Sequence, residues 1–271
     1  MIAARVVLDS ISPLGIRLTT MECTFHRFIL SEFNTHRAFS RNSASSRAIP
    51  VTKTLAQVTA NTAIPLVFPK EQPGMSGGEP LEFSEEALKI WLSACDAAAS
   101  HAEQLAALGV HKSVVNRIIE PYMWHTVVVS ATAYDNFFIQ RMMNSAQPEM
   151  VSLAYRMNDA LRASSPTAVD FGGWHLPYVS DREQATLTLE QLKELSVARV
   201  AGVSYNRLNQ VRELALDFKL YARLYNANPR HESPFEHVAT PSEMRMSATH
   251  QGNFAGWHQL RHLLDDEVIE E

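Results

Sequence analysis

Cysteine is almost missing from this 271-residue chain: only Cys23 and Cys95 occur, far apart in sequence. That argues against a disulfide framework or a structural zinc site, both of which need several suitably spaced thiols. Long apolar runs are missing too. No stretch approaches the roughly 18 consecutive apolar residues of a membrane span, and the N-terminus has no charged segment followed by an apolar one. Neither export nor membrane anchoring is expected, and the cytoplasm is the default compartment. Cationic excess is also lacking, with 24 Lys and Arg against 29 Asp and Glu, a formal charge of −5. Polymeric nucleic acid or an anionic membrane would call for a basic surface. Any phosphate recognition must therefore be local, and a small nucleotide suits the chain better than a polymer.

What is present is globular in composition, and its length suits one large domain or two modest ones, with residues 1–271 read as a single domain. Met1 to Ser10 and Ile16 to Thr24 are rich in β-branched residues and predict strands, followed by a helical pattern from Phe25 to Phe33. Residues 63 to 82 hold four prolines and the run Pro73-Gly74-Met75-Ser76-Gly77-Gly78, which predicts a long surface loop. Ser84 is expected to cap a helix through about Leu108, with Gly109 at its stop. A helix is expected over His111 to Ile119, a strand over Trp124 to Thr132, and helices over Tyr134 to Met143 and Gln147 to Ala163. A loop follows over Ser164 to Ser180. From Leu187 the pattern is helical again, and Leu208, Val211, Leu214, Ala215, Phe218, Ala222 and Tyr225 place one apolar stripe along residues 207 to 226, which Pro229 ends. The expected class is α+β: mainly helical, with a small mixed or antiparallel sheet.

The segment Thr35-His36-Arg37-Ala38-Phe39-Ser40-Arg41-Asn42-Ser43-Ala44-Ser45-Ser46-Arg47 concentrates cations, hydroxyls and an amide with scarcely an apolar side chain. It reads as an anion site. A phosphate is held by charge-assisted forked donors and closely approaching hydroxyls, and Arg37, Arg41 and Arg47 with Ser40, Ser43, Ser45 and Ser46 supply both. By itself the run is equally compatible with a solvated, Ser-rich loop.

Three separated segments together resemble the flavin-dependent thymidylate synthase family. The spacing His36-Arg37, seven residues, Ser45 is similar to its R-H-R-x7-S signature. Arg117-Ile118-Ile119-Glu120-Pro121, then Asn136-Phe137-Phe138-Ile139-Gln140-Arg141 and Ala146-Gln147-Pro148-Glu149, look like its R-I-x-x-P and N-F-x-x-x-R…A-Q-x-E run. His231-Glu232-Ser233-Pro234-Phe235-Glu236-His237 is similar to its H-x-[ST]-P-F-E-H motif. In the family that last motif lies upstream of the others. The order here implies a circular permutation, with residues 186–240 standing for the family's N-terminal block, which neighbouring termini make feasible.

The resemblance implies transfer of a one-carbon unit from 5,10-methylenetetrahydrofolate to C5 of a pyrimidine nucleotide, most simply dUMP to dTMP, with FAD bound and NADPH as reductant. Alternatives are C5 hydroxymethylation of dUMP or dCMP, or a homologue that binds flavin or nucleotide without turnover. By motif position, Arg117 and Arg141 hold the uracil edge and are the catalytic candidates. Their plainer roles are a helix-end salt bridge and a solvated helix face. Glu32, Ser43, Ser45, Ser46 and Arg47 complete the nucleotide site. His36, Arg37, Asn42, Ser130, Asn136, Ser204, His231, Ser233 and Glu236 are expected at the flavin. A homotetramer with flavin sites shared between subunits is implied as well.

Four positions depart from the family pattern: Glu32 for Gln, Thr35 for the first Arg, Ser43 for Glu and Ser130 for Asn. They bear on which nucleotide fits. Conventional thymidylate synthesis needs a cysteine nucleophile, but Cys23 falls in a strand pattern and Cys95 in an Ala-rich helix, so both read as core. His258 and His262 stand one turn apart without the intervening Glu of a zinc-protease motif, and no metal site is expected.

Overall fold

β1 (Ala3–Ile11) and β2 (Arg17–His26) form an antiparallel hairpin. Its turn closes through Ser12 N–H to Ile16 O at 3.0 Å, and Gly15 supplies the positive φ of +72° that the turn demands. This computed structural model describes residues 1–205, 213–244 and 252–269, with side chains in the last helix as far as residue 264. After α1 (Leu30–Asn34) comes β3 (Ser40–Ser43), then α2 (Val51–Ala60), the long α3 (Ser84–Ala107), the short α4 (Lys112–Val115) and a 3-10 helix over Asn116–Tyr122. β4 (Trp124–Ala131) leads into α5 (Asp135–Arg141), α6 (Pro148–Ala163) and the two-residue β5 (Thr167–Ala168). The chain ends with α7 (Asp181–Gln184), α8 (Leu189–Ala201), α9 (Leu214–Tyr225), a 3-10 helix over Ser233–His237, β6 (Ala239–Pro241), β7 (Trp257–Gln259) and α10 (Leu260–Ile269).

The main sheet has the order β3-β4-β2-β1-β5, antiparallel throughout except for the parallel β1–β5 pair. The fold is α+β with a mixed sheet, as expected. Side-chain alternation gives the sheet two different faces. Met21, Cys23 and Phe25 of β2, with Val127 and Val129 of β4, join Phe33, Phe39, Phe137 and the buried side of α6 in the largest apolar cluster. On the opposite face Val128 packs on Val200 and Val203, and beyond them α8, α9 and Phe235 form a second cluster. Among the described residues, no helix is long and apolar enough to cross a membrane.

Several expectations need correction. Residues 40–43 are a strand, not a loop: their own composition disfavours β structure, but the free edge of Val-rich β4 takes them into register from Ser40–Ser130 to Ser43–Val127. Phe83, not Ser84, is the N-cap of α3, and it caps without a side-chain hydrogen bond. The expected helix over 111–119 tightens into 3-10 geometry from Asn116. α9 buries Asp217, Leu220 and Leu224, while Leu214, Ala215 and Ala222 of the expected stripe are exposed. The helix is turned because Asp217 pairs with Arg199 of α8 at 3.2 Å, and a buried carboxylate must keep its cation. Leu208 and Val211 lie outside the described residues.

Candidate active site

β3 divides the polar segment between the two sheet faces. Ser40 and Asn42 are buried. The Asn42 amide donates to Val200 O at 2.8 Å and accepts from Ser233 Oγ at 3.0 Å. Ser40 accepts from Gln259 Nε2 at 2.9 Å. Arg41 takes the other face, where its guanidinium donates to Asn34 O at 2.9 Å and His36 O at 3.3 Å. Ser40 and Arg41 were expected among the phosphate donors; pairing period and backbone carbonyls commit them to the scaffold instead.

One corner of the site is built on α5. Arg141 Nε donates to His36 Nε2 at 2.8 Å, and its Nη2 donates to Thr35 Oγ1 at 3.1 Å. Arginine has no acceptor, so His36 Nε2 must hold a lone pair and the imidazole proton sits on Nδ1. Burial, with Arg141 and Arg41 nearby, pushes the His36 pKa down to about 4. His36 is therefore neutral near pH 7, a fixed support for Arg141 and not a competing cation. Its ring stands edge-on to Phe137, 4.8 Å between centroids. Thr35 turns its own proton to Glu32 O at 2.7 Å, so Glu32, Thr35, His36 and Arg141 form one connected corner.

A second corner centres on Glu120. Its Oε1 accepts from Arg117 Nη1 at 2.8 Å, from Arg27 Nη2 at 3.1 Å and from the Ser46 hydroxyl by a short hydrogen bond. Arg27 also donates to His125 Nδ1 at 2.9 Å. Ser46 was expected to face phosphate directly; it is buried, and its hydroxyl is spent on Glu120. Arg117 makes the salt bridge that its plainer reading anticipated. A groove of about 440 Å³ lined by Arg27, Ser31, Asn34, Arg117 and Glu120 runs from this corner to Asn34, the neighbour of Thr35. Arg117 lines this groove, while Arg141 is held by His36 and Thr35, and the two arginines share no hydrogen-bond partner.

The C-terminal motif packs on β3 and α8. Besides the Ser233–Asn42 bond, Ser45 N–H donates to Ser204 O at 3.2 Å. Glu236 is ion-paired with Arg261, and its carbonyl accepts from Gln259 Nε2 at 2.9 Å. Ser130 is fully buried, with its hydroxyl between Thr20 Oγ1 at 2.5 Å and His237 Nδ1 at 2.8 Å. It therefore props the motif from beneath and does not present itself to a flavin. Burial pushes His237 down to about 3, which keeps it neutral. Both cysteines are buried, and burial raises their thiols, so neither is a ready nucleophile.

The remaining expected residues keep their donors free. Arg37, Arg47, Asn136 and His231 are exposed, and Ser43, Ser45 and Ser204 half-exposed, with no side-chain hydrogen bond or ion pair among the described residues. Unspent guanidiniums, hydroxyls and an amide suit an anionic ligand with phosphate groups, and the set fits a dinucleotide such as FAD and a nucleotide monophosphate. The family model described as thymidylate synthase complementing protein matches residues 9–167, which contain both arginine corners and all of β3. The chain belongs to the flavin-dependent thymidylate synthase family.

Membership in the flavin-dependent thymidylate synthase family places the chain among thymidylate synthase-like enzymes, whose chemistry modifies pyrimidine nucleotides. Two solved structures of the UMP/dUMP methylase PolB from Streptomyces cacaoi, bound with 5-Br dUMP and with 5-Br UMP, resemble the chain. Each has a TM-score of 0.49, with 13% and 14% identity, over 59% of this chain and 90% and 88% of theirs. No curated protein matches the chain. The family match ends before residues 231–237, so the docking of Ser233 on Asn42 is a feature of the tertiary structure alone. Arg27, Gln259 and Arg261 escaped the sequence reading because each acts on a motif residue from outside any motif. Glu120 lay within one, at a position the motif leaves open.

Proposed function

We propose that the chain transfers a one-carbon unit from 5,10-methylenetetrahydrofolate to C5 of a pyrimidine nucleotide, most simply dUMP to dTMP, using bound FAD with NADPH as reductant. The observation that carries this reading is the hydrogen bond from Ser233 to Asn42. It joins the H-x-[ST]-P-F-E-H segment to the R-H-R-x7-S-like segment, the two parts that the resemblance assigns to one flavin and nucleotide site. The same contact supports the permuted order, with residues 186–240 in the role of the N-terminal block.

Reduced flavin, when bound, supplies the hydride and one-carbon chemistry that removes the need for a protein thiol. The protein's own task is to bind and polarise. Arg141, braced by His36 and Thr35, directs its remaining N–H donors toward the pyrimidine edge, where negative charge develops. Arg117 flanks the same edge. Ser45 and Arg47 take the nucleotide phosphate, with Glu32, Ser43 and Ser46 around them. Arg37, Asn136, Ser204 and His231 hold the flavin, and His36, Asn42, Ser130, Ser233 and Glu236 keep that wall in place. A homotetramer in the cytoplasm, sharing flavin sites between subunits, completes the proposal.

The test is incubation of purified protein with dUMP, methylenetetrahydrofolate and NADPH, with the product identified by mass and the flavin by its absorption. A methylated product from a yellow protein is expected. A hydroxymethylated product, or one from dCMP, would move the reading to the related C5 modification. Bound FAD without any product would mean a binding protein. A colourless protein that takes up no added FAD would end the flavin assignment.

A further inference from the structure

The Glu120 corner carries more order than a helix-end salt bridge requires. One carboxylate oxygen collects three donors from three separate parts of the chain: Arg27 just beyond β2, Ser46 beyond β3, and Arg117 in the 3-10 helix before β4. Arg27 is held from behind by His125, which burial and Arg27 itself push down to about 3. The Asn116 amide, adjacent to Arg117, donates to Ser46 O at 2.8 Å and Ile49 O at 3.0 Å. The segment 45–49 and residues 116–120 are thereby locked together at side chain and backbone. Ser46 lies between Ser45 and Arg47, whose side chains are free for phosphate.

Charge adds a second consequence. The groove beside this corner is lined by two guanidiniums, Arg27 and Arg117, against one carboxylate, Glu120. Without the carboxylate, two adjacent arginines and a hydroxyl would make a phosphate site in their own right. With it, one positive charge remains, which suits a carbonyl or imide edge better than a dianion.

We propose that Glu120 is the positioning and specificity residue of the nucleotide site: it fixes the Ser45–Arg47 segment in register with Arg117, and by neutralising one guanidinium it reserves the groove for the pyrimidine edge against free phosphate. This rests on the nucleotide reading above, but half of it is testable without substrate. Glu120→Gln keeps an acceptor and removes the charge. Titrated calorimetrically with inorganic phosphate, folded Glu120→Gln is expected to bind about tenfold more tightly than wild type, the size of one charged hydrogen bond. Glu120→Asp keeps the charge but shortens the reach to Ser46. It is expected to raise KM for the nucleotide by about tenfold, more than it lowers kcat, with phosphate affinity unchanged.

Either outcome has a clear opposite. If folded Glu120→Gln binds phosphate no more tightly than wild type, the charge-screening role is overturned. If Glu120→Asp leaves KM unaltered, or both variants only lower the melting temperature, Glu120 is a structural salt bridge and nothing more. Should Glu120→Gln fail to fold, Glu120→Asp still decides, since an unaltered KM for the nucleotide in that folded variant refutes the proposal. If wild type turns over no pyrimidine nucleotide, the functional reading fails while the phosphate comparison still decides the role of Glu120.

Discussion

Ser233 donates to the side chain of Asn42 at 3.0 Å across 191 residues of sequence. The same amide donates to Val200 O at 2.8 Å, so one buried residue clasps α8, β3 and the C-terminal 3-10 helix. Asn42→Ala would leave two groups short of a partner. We expect a loss of about 1–3 kcal/mol, a melting temperature lower by roughly 2–4 °C for each of those kcal/mol, and weaker FAD uptake, read from thermal melts and a flavin titration. Unchanged flavin affinity in the destabilised variant would separate this clasp from the cofactor site.

Arg141 is braced by two acceptors and makes no ion pair among the described residues. Replacing it by Ala is expected to lower turnover by at least about 100-fold, the scale of one lost transition-state donor, with FAD still bound. Arg141→Lys would rescue little, since an ammonium cannot span His36, Thr35 and the pyrimidine with a planar fork. Near-normal turnover of either variant would remove Arg141 from the mechanism.

Arg47 is exposed, with its donors unspent. Arg47→Ala is expected to weaken dUMP binding roughly tenfold or more and to leave deoxyuridine binding as it was, because only the phosphate is lost to it. Equal weakening of both ligands, measured by calorimetry, would place Arg47 elsewhere.

His125, His175 and His237 are buried, and burial is the main reason each is pushed down to about 3 from 6.5. They stay neutral in the fold but take up protons once unfolded. Below about pH 6.5 the unfolded chain therefore binds more protons, and stability falls as pH drops toward the folded values, by up to about 1.4 kcal/mol per pH unit for each imidazole. Above pH 7 they contribute no dependence. Melts at pH 7.5, 6.5, 5.5 and 4.5 should show a plateau and then a steepening decline; a flat profile down to pH 4.5 would mean that these imidazoles titrate normally.

Much of the frame was legible in the residues. β-branched runs and alternation marked β1, β2 and β4, and the prolines and glycines of residues 63–82 excluded regular structure there, because both signals are local. Arg117, Arg141, His36 and Ser233 could be picked out by spacing within motifs. β3 could not, since Ser40 to Ser43 become a strand only by pairing with β4. Nor could the orientation of α9, which the Asp217–Arg199 pair decides against the apolar stripe.

The sequence by itself determined which chemistry is available: only two cysteines, and separate stocks of arginine, hydroxyl and amide donors in short motifs. Only the tertiary structure decided which of those donors remain free. Alternation along β3 turned Asn42 inward, backbone carbonyls claimed Arg41, and Glu120 engaged Ser46 and Arg117. The physical reason is that a polar side chain in a fold must satisfy its hydrogen bonds with whatever lies nearest, and for these residues the nearest partner is set by packing between distant segments.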